Sequence, residues 1–173
     1  MPVCDRIYEV IILSALSLKK DRPVLAKSFL KFQLATNVVA MLPARTVQEA
    51  VVLPTRRVMA MPNMPAALLG LINRRGRVFW VANLVRLLGL PVPDRHSQQY
   101  SLIVVQGRST PLALQVDSID GMVSFPPEAV HPPPNNVSGI ILPYLTGCVT
   151  HNDETIFILD VESLLQSSIL QPS

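Results

Sequence analysis

Arg74, Arg75 and Arg77 surround Gly76 between two apolar runs at residues 68–73 and 78–84. Guanidinium groups in that setting can clamp a carboxylate through paired N–H donors or present charge to a partner. Catalysis would need more: a nucleophile, a base and a group that orients the base. His96, His131 and His151 fall in separate turn-like segments, and only His151 has carboxylates close in sequence, Asp153 and Glu154. A polar surface turn accounts for that trio better than a metal site. Cys148 follows Gly147 in an apolar run and reads as a small buried hydrophobe. The seven glycines are scattered and form no phosphate-cradling loop. The expectation is a protein without catalysis, nucleotide, metal or cofactor.

The elements that must position the arginines are strands. Alternating or wholly apolar runs recur at residues 29–34, 37–42, 47–52, 68–73, 78–84, 101–106, 111–116, 121–125, 145–150 and 155–159. Their spacing predicts a mainly β fold of small closed barrels rather than a helical bundle or a βαβ sheet. Gly76 can take the positive φ of a two-residue hairpin turn, which fixes the direction of the arginines before it. Helical signals are few: a turn near residues 64–68, a segment at 84–88 stopped by Gly89, and a segment at 161–166 capped by Asp160. The run Pro132-Pro133-Pro134 cannot enter a sheet interior and reads as a stiff, exposed connection.

At 173 residues, 49% hydrophobic against 16% charged, the chain is not a disordered scaffold. It suits one domain, or two small subdomains sharing a core, with a surface apolar enough to favour partners. Cys4 and Cys148 are far apart in sequence, which argues against a structural disulfide and for a reducing, cytoplasmic setting. The longest apolar run, at residues 10–18, falls short of the roughly 20 residues of a membrane span. Asp5 and Glu9 precede it without a cleavage site downstream, so it does not read as an export signal, and no direct membrane insertion is expected.

Charge is divided along the chain. All 15 basic residues lie at or before Arg108, against acidic Asp5, Glu9, Asp21, Glu49 and Asp94. Beyond Arg108 the charged residues are all acidic: Asp117, Asp120, Glu128, Asp153, Glu154, Asp160 and Glu162. Such polarity suits orienting a partner or a second copy, so a self-associating structural module is one alternative function. A nucleic-acid-binding barrel is another, given Arg56, Arg57, Arg74, Arg75, Arg77 and Arg86. Only Phe79 and Trp80 accompany them, in a strand context that favours core packing over base stacking, and no nucleic acid is expected.

A more particular pattern runs through Pro65, Gly70, Asn73, Arg75, Gly76, Leu84 and Leu88-Gly89. It resembles the signature of the CheW family of chemotaxis coupling proteins. Thr46-Val47-Gln48-Glu49, Leu114-Gln115-Val116-Asp117, Tyr144-Leu145-Thr146-Gly147 and Ile156-Phe157-Ile158-Leu159-Asp160 extend the similarity in the right order from Ser28 to Leu165. The resemblance implies two intertwined five-stranded, SH3-like β-barrel subdomains over residues 28–167. Residues 1–27 are then an extension and residues 168–173 a tail. It also implies a non-enzymatic adaptor between the cytoplasmic tip of a methyl-accepting chemoreceptor and the regulatory domain of a CheA-type histidine kinase. Arg75 matches the family's motif arginine, which implies a place in the receptor groove or the subdomain junction. A carboxylate such as Glu49 is its internal alternative partner. Val47 and Glu49 match a partner-contact segment, although a strand residue such as Val47 also serves a core. Gly70 and Gly76 match backbone positions.

Two departures stand out. Arg74 replaces a usual apolar residue, and Trp80-Val81-Ala82-Asn83-Leu84 stands where the family commonly has a proline and an aspartate. Asn83 keeps hydrogen-bonding capacity without charge. These departures suggest a divergent coupling protein, one serving a pilus-motility or other chemotaxis-like array.

Overall fold

A computed structural model describes residues 26–94, 96–108 and 110–170. Cys4 and the run at 10–18 lie outside them. Ten strands form: β1 (Lys27–Ala35), β2 (Val38–Pro43), β3 (Val47–Pro54), β4 (Leu68–Arg74), β5 (Arg77–Asn83), β6 (Gln99–Val105), β7 (Leu112–Val116), β8 (Ser118–Phe125), β9 (Leu145–His151) and β10 (Glu154–Leu159). Each expected run becomes one of them. Two short helices follow the last strand of each half of the chain, α1 (Leu84–Leu87) and α2 (Val161–Leu165).

The strands make two curled five-stranded sheets, ordered β8-β1-β2-β10-β9 and β3-β6-β7-β5-β4. Alternation along the central strands explains why their sequences read as wholly apolar. Val39 and Met41 of β2 fill the interior of the first sheet, while Ala40 and Leu42 face a core shared by both sheets. In the second sheet Leu102 and Val104 of β6 point inward, and Ile103 and Val105 point to the shared core. Both faces of these strands are therefore buried, which leaves no polar half to the repeat.

The two sheets are built alike. In the first, β2 pairs antiparallel with β1 and parallel with β10; in the second, β7 pairs antiparallel with β6 and parallel with β5. Each sheet takes two strands from one half of the chain and three from the other, so the halves are interlocked. The details repeat as well. After β3, a 3₁₀ turn at Thr55–Arg57 leads to an isolated bridge between Met59 and Leu71; after β8, a 3₁₀ turn at Pro127–Ala129 leads to one between His131 and Cys148. The hairpin pairs Arg75-Gly76 and Asn152-Asp153 all have positive φ, as type I′ turns require. Asn83 and Asp160 cap the two helices with their side chains. The spacing of Gly70, Arg75 and Asn83 is repeated residue for residue by Gly147, Asn152 and Asp160.

Beyond α2, a 3₁₀ turn at Ser168–Leu170 brings Leu170 against the shared core. No helix among the described residues is long and apolar enough to cross a membrane.

Candidate partner-binding site

The β4–β5 hairpin tip is placed by backbone geometry that few residues can satisfy. Gly70 has φ 142°, and a Cβ there would overlap the carbonyl of Met59, whose N–H and C=O both bond Leu71 at 2.8 and 2.9 Å. At the tip, Arg75 and Gly76 have φ 53° and 77°, so the arginine itself stands in the left-handed region rather than merely preceding it. Farther along, the Asn83 carbonyl oxygen of the side chain accepts the Arg86 N–H at 2.9 Å, and its amide donates to Gln115 Oε1 at 2.7 Å. Asn83 thus supplies the helix cap by itself and ties β5 to β7.

The arginines divide the work differently from the sequence expectation. Arg74 Nε and Nη2 both donate to Glu49 Oε1, at 2.9 and 2.6 Å. Arg75 Nη2 lies 3.9 Å from the same oxygen and its side chain is 75% exposed, against 17% for Glu49. Glu49, the internal partner considered for Arg75, is thus held at hydrogen-bond distance by Arg74, the strand-end residue that faces the opposite edge of the curled sheet, while Arg75 at the turn keeps only the longer ion-pair contact and points largely outward. Arg77 stands over the Phe79 ring at 5.2 Å, and Val78 between them is exposed. Phe79 is buried and Trp80 packs on the shared core, so neither offers a stacking face.

The structure brings Glu49, Arg74 and Arg75 together. Val47, on the same strand as Glu49, is half-buried against the shared core. Asn73 is exposed beside the tip, whereas Leu84 is fully buried. Pro65 accepts the Leu68 N–H at 2.9 Å and so starts β4, and Gly89 ends α1 with φ 66°. Sequence reasoning did not find Gln115 or Met59 as supporting groups. Only the strand pairing reveals them.

Two interlocked, curled five-stranded sheets with a charged hairpin tip define the architecture. Comparisons with known proteins agree. The CheW-like domain family matches residues 28–168. A probable chemotaxis protein CheW of Rhizobium etli is 28% identical over 109 residues, which span 63% of this chain and 70% of that protein. The chemotaxis protein CheW of Treponema pallidum is 26% identical over 113 residues, 64% of this chain and 66% of the relative. The scaffolding protein TtCheW of Thermoanaerobacter tengcongensis shares the fold with a TM-score of 0.72, at 23% identity, covering 85% of this chain and 97% of that one.

The chain belongs to the CheW family, whose members are non-enzymatic scaffold proteins of chemotaxis.

Proposed function

We propose that this protein couples the cytoplasmic tips of chemoreceptors to the regulatory domain of a CheA-type histidine kinase, as a cytoplasmic adaptor recruited to membrane receptor arrays. Val47, Glu49, Arg74 and Arg75 form its partner face. The observation that carries the reading is Arg75: the family's motif arginine is exposed on a turn whose backbone is fixed, while Arg74 takes the local carboxylate. The turn backbone sets where this cation leaves the surface, so the ordering left to a partner is that of the side chain alone. Binding two partners at once raises the concentration of kinase beside receptor, and a receptor movement can then shift the kinase equilibrium through the shared contact.

The motif departures at Arg74 and Asn83 favour a chemotaxis-like array such as one serving pilus motility. Absence of every pilus-associated component from the purified array would refute that assignment. The direct test of the adaptor is capture from native lysate by wild type and by Arg75→Ala, with circular dichroism showing both folded. Recovery of a CheA-type kinase and a receptor by wild type, and loss of one of them by the folded variant, supports it. Recovery of neither by wild type refutes it.

A further inference from the structure

Two clefts flank the junction of the sheets, and the repeat of the halves makes them counterparts. The larger, of about 710 Å³, has Ala44, Arg45, Thr146, Asp160 and Glu162 in its lining. The smaller, of about 490 Å³, has Val116, Asp117, Leu69, Asn83 and Val85 at the corresponding positions. They differ in one respect. The smaller cleft has a wall that is neither helix nor strand, formed by Val92, Pro93 and Asp94 from the segment between α1 and β6. Prolines 91 and 93 favour an extended backbone there.

The larger cleft has no comparable segment in its described lining. Its rim carries Lys27, Arg45 and Arg108, whose side chains make no hydrogen bond or ion pair with another described residue. Its carboxylates are already committed. Asp160 caps α2, and Glu162 Oε1 accepts the Arg108 N–H at 2.8 Å, an approach that Gly107 permits because a Cβ there would overlap the carboxylate. Glu162 Oε2 is buried with no donor among the described residues. Phe29, Val130 and Ile158 supply an apolar floor.

We propose that the larger cleft binds an extended, proline-containing acidic segment of a partner protein, laid as residues 92–94 lie along the smaller cleft. Its carboxylates meet Lys27, Arg45 and Arg108, and its apolar residues cover the floor. The site does not involve Arg75, so it stands or falls separately from the adaptor face.

The test uses the full chain and a fluorescein-labelled peptide, Leu-Pro-Val-Pro-Asp-Asp, beside a control ending in Lys-Lys. Fluorescence anisotropy is expected to show saturable binding of the acidic peptide, tighter than the control by at least about tenfold. The doubly substituted Arg45→Gln, Arg108→Gln chain should lose at least about tenfold in affinity, whereas Arg75→Ala should bind as wild type does. If the double variant does not fold, each single substitution is measured and should weaken binding by itself. Equal affinity for both peptides, or affinity unchanged by the substitutions, overturns the proposal. Failure of the acidic peptide to bind overturns it too, and protection of residues 43–46 from hydrogen exchange in the absence of peptide would then show the cleft filled by this chain or a second copy.

Discussion

Arg74 and Glu49 occupy the two outermost strands of one five-stranded sheet, yet their side chains meet at 2.6 Å. Only a sheet curled until its edges face each other allows this, and the ion pair spans the seam. The other sheet closes in a related way: the ring of His151, at the end of β9, stands edge-on to Phe125, at the end of β8, with centroids 5.6 Å apart. The seam pair separates support from display. Arg74 is spent on closing the barrel, and Arg75 is left outward.

That division predicts opposite effects from adjacent residues. Both seam side chains are partly exposed, at 25% for Arg74 and 17% for Glu49, so solvent screening reduces their contribution. Arg74→Ala and Glu49→Ala should each cost about 1–2 kcal/mol in urea unfolding, while Arg75→Ala should change stability by less than about 0.5 kcal/mol. The exchange Glu49→Arg with Arg74→Glu should recover part of the loss. Equal destabilisation by Arg74→Ala and Arg75→Ala would contradict the assignment.

Much of the fold is legible in the sequence because its strands obey simple burial rules. The run at 37–42 is apolar throughout because Val39 and Met41 fill one core while Ala40 and Leu42 fill another. Asp160 was readable as a cap from its place before an apolar helical segment. Glu49 was legible as a carboxylate partner for Arg75; that Arg74 holds it more closely depends on which arginine takes the left-handed turn conformation. The internal repeat is hidden for a related reason. What recurs is backbone geometry, carried by Arg75-Gly76 in one half and Asn152-Asp153 in the other, and the side chains that share this geometry differ in type and charge.

The repeat makes three glycines separable by experiment. Gly70 combines φ 142° with overlap of the Met59 carbonyl, so Gly70→Ala should cost about 3 kcal/mol or more. Gly147 has the same close approach, with a Cβ falling 2.8 Å from the His131 carbonyl oxygen, but no positive φ, and about 2 kcal/mol is expected there. A Cβ on Gly76 meets open space, leaving only the conformational cost of about 1 kcal/mol. Thermal unfolding of the three alanine variants should follow that order, and a Gly76 variant as unstable as the Gly70 variant would refute it.

Asn83 offers a test of whether the missing family carboxylate matters for folding. Asn83→Ala removes both the cap on α1 and the bond to Gln115, and should cost about 1–2 kcal/mol. Asn83→Asp keeps an oxygen for the Arg86 N–H and adds charge at a helix start, so it should lie within about 1 kcal/mol of wild type. Chemical denaturation of both variants measures the difference. An aspartate variant as unstable as the alanine variant would show that the amide donated to Gln115, rather than the cap, is the important contact.

Cys148 gives the fold a dependence on alkaline pH. Its thiol is buried beside the Pro132 carbonyl, 3.4 Å from the sulfur, and burial raises its pKa above the ordinary 9.0 because the thiolate is poorly solvated there. In the unfolded chain the thiol ionises near its ordinary value, while the folded chain keeps the proton. Between those two pKa values the unfolded state therefore binds fewer protons, so stability falls as pH rises through and beyond about 9 and is unaffected below that range. Other groups titrate in the same range, so the useful quantity is the difference between wild type and Cys148→Ala. The variant should lose less stability on going from neutral pH to above 9. Iodoacetamide modification at Cys148, followed by peptide mass spectrometry, should be slow at neutral pH in the folded chain and fast in denaturant. Rapid modification of the folded chain at neutral pH would mean that the thiol is neither buried nor shifted, and the expected alkaline decline would lose its cause.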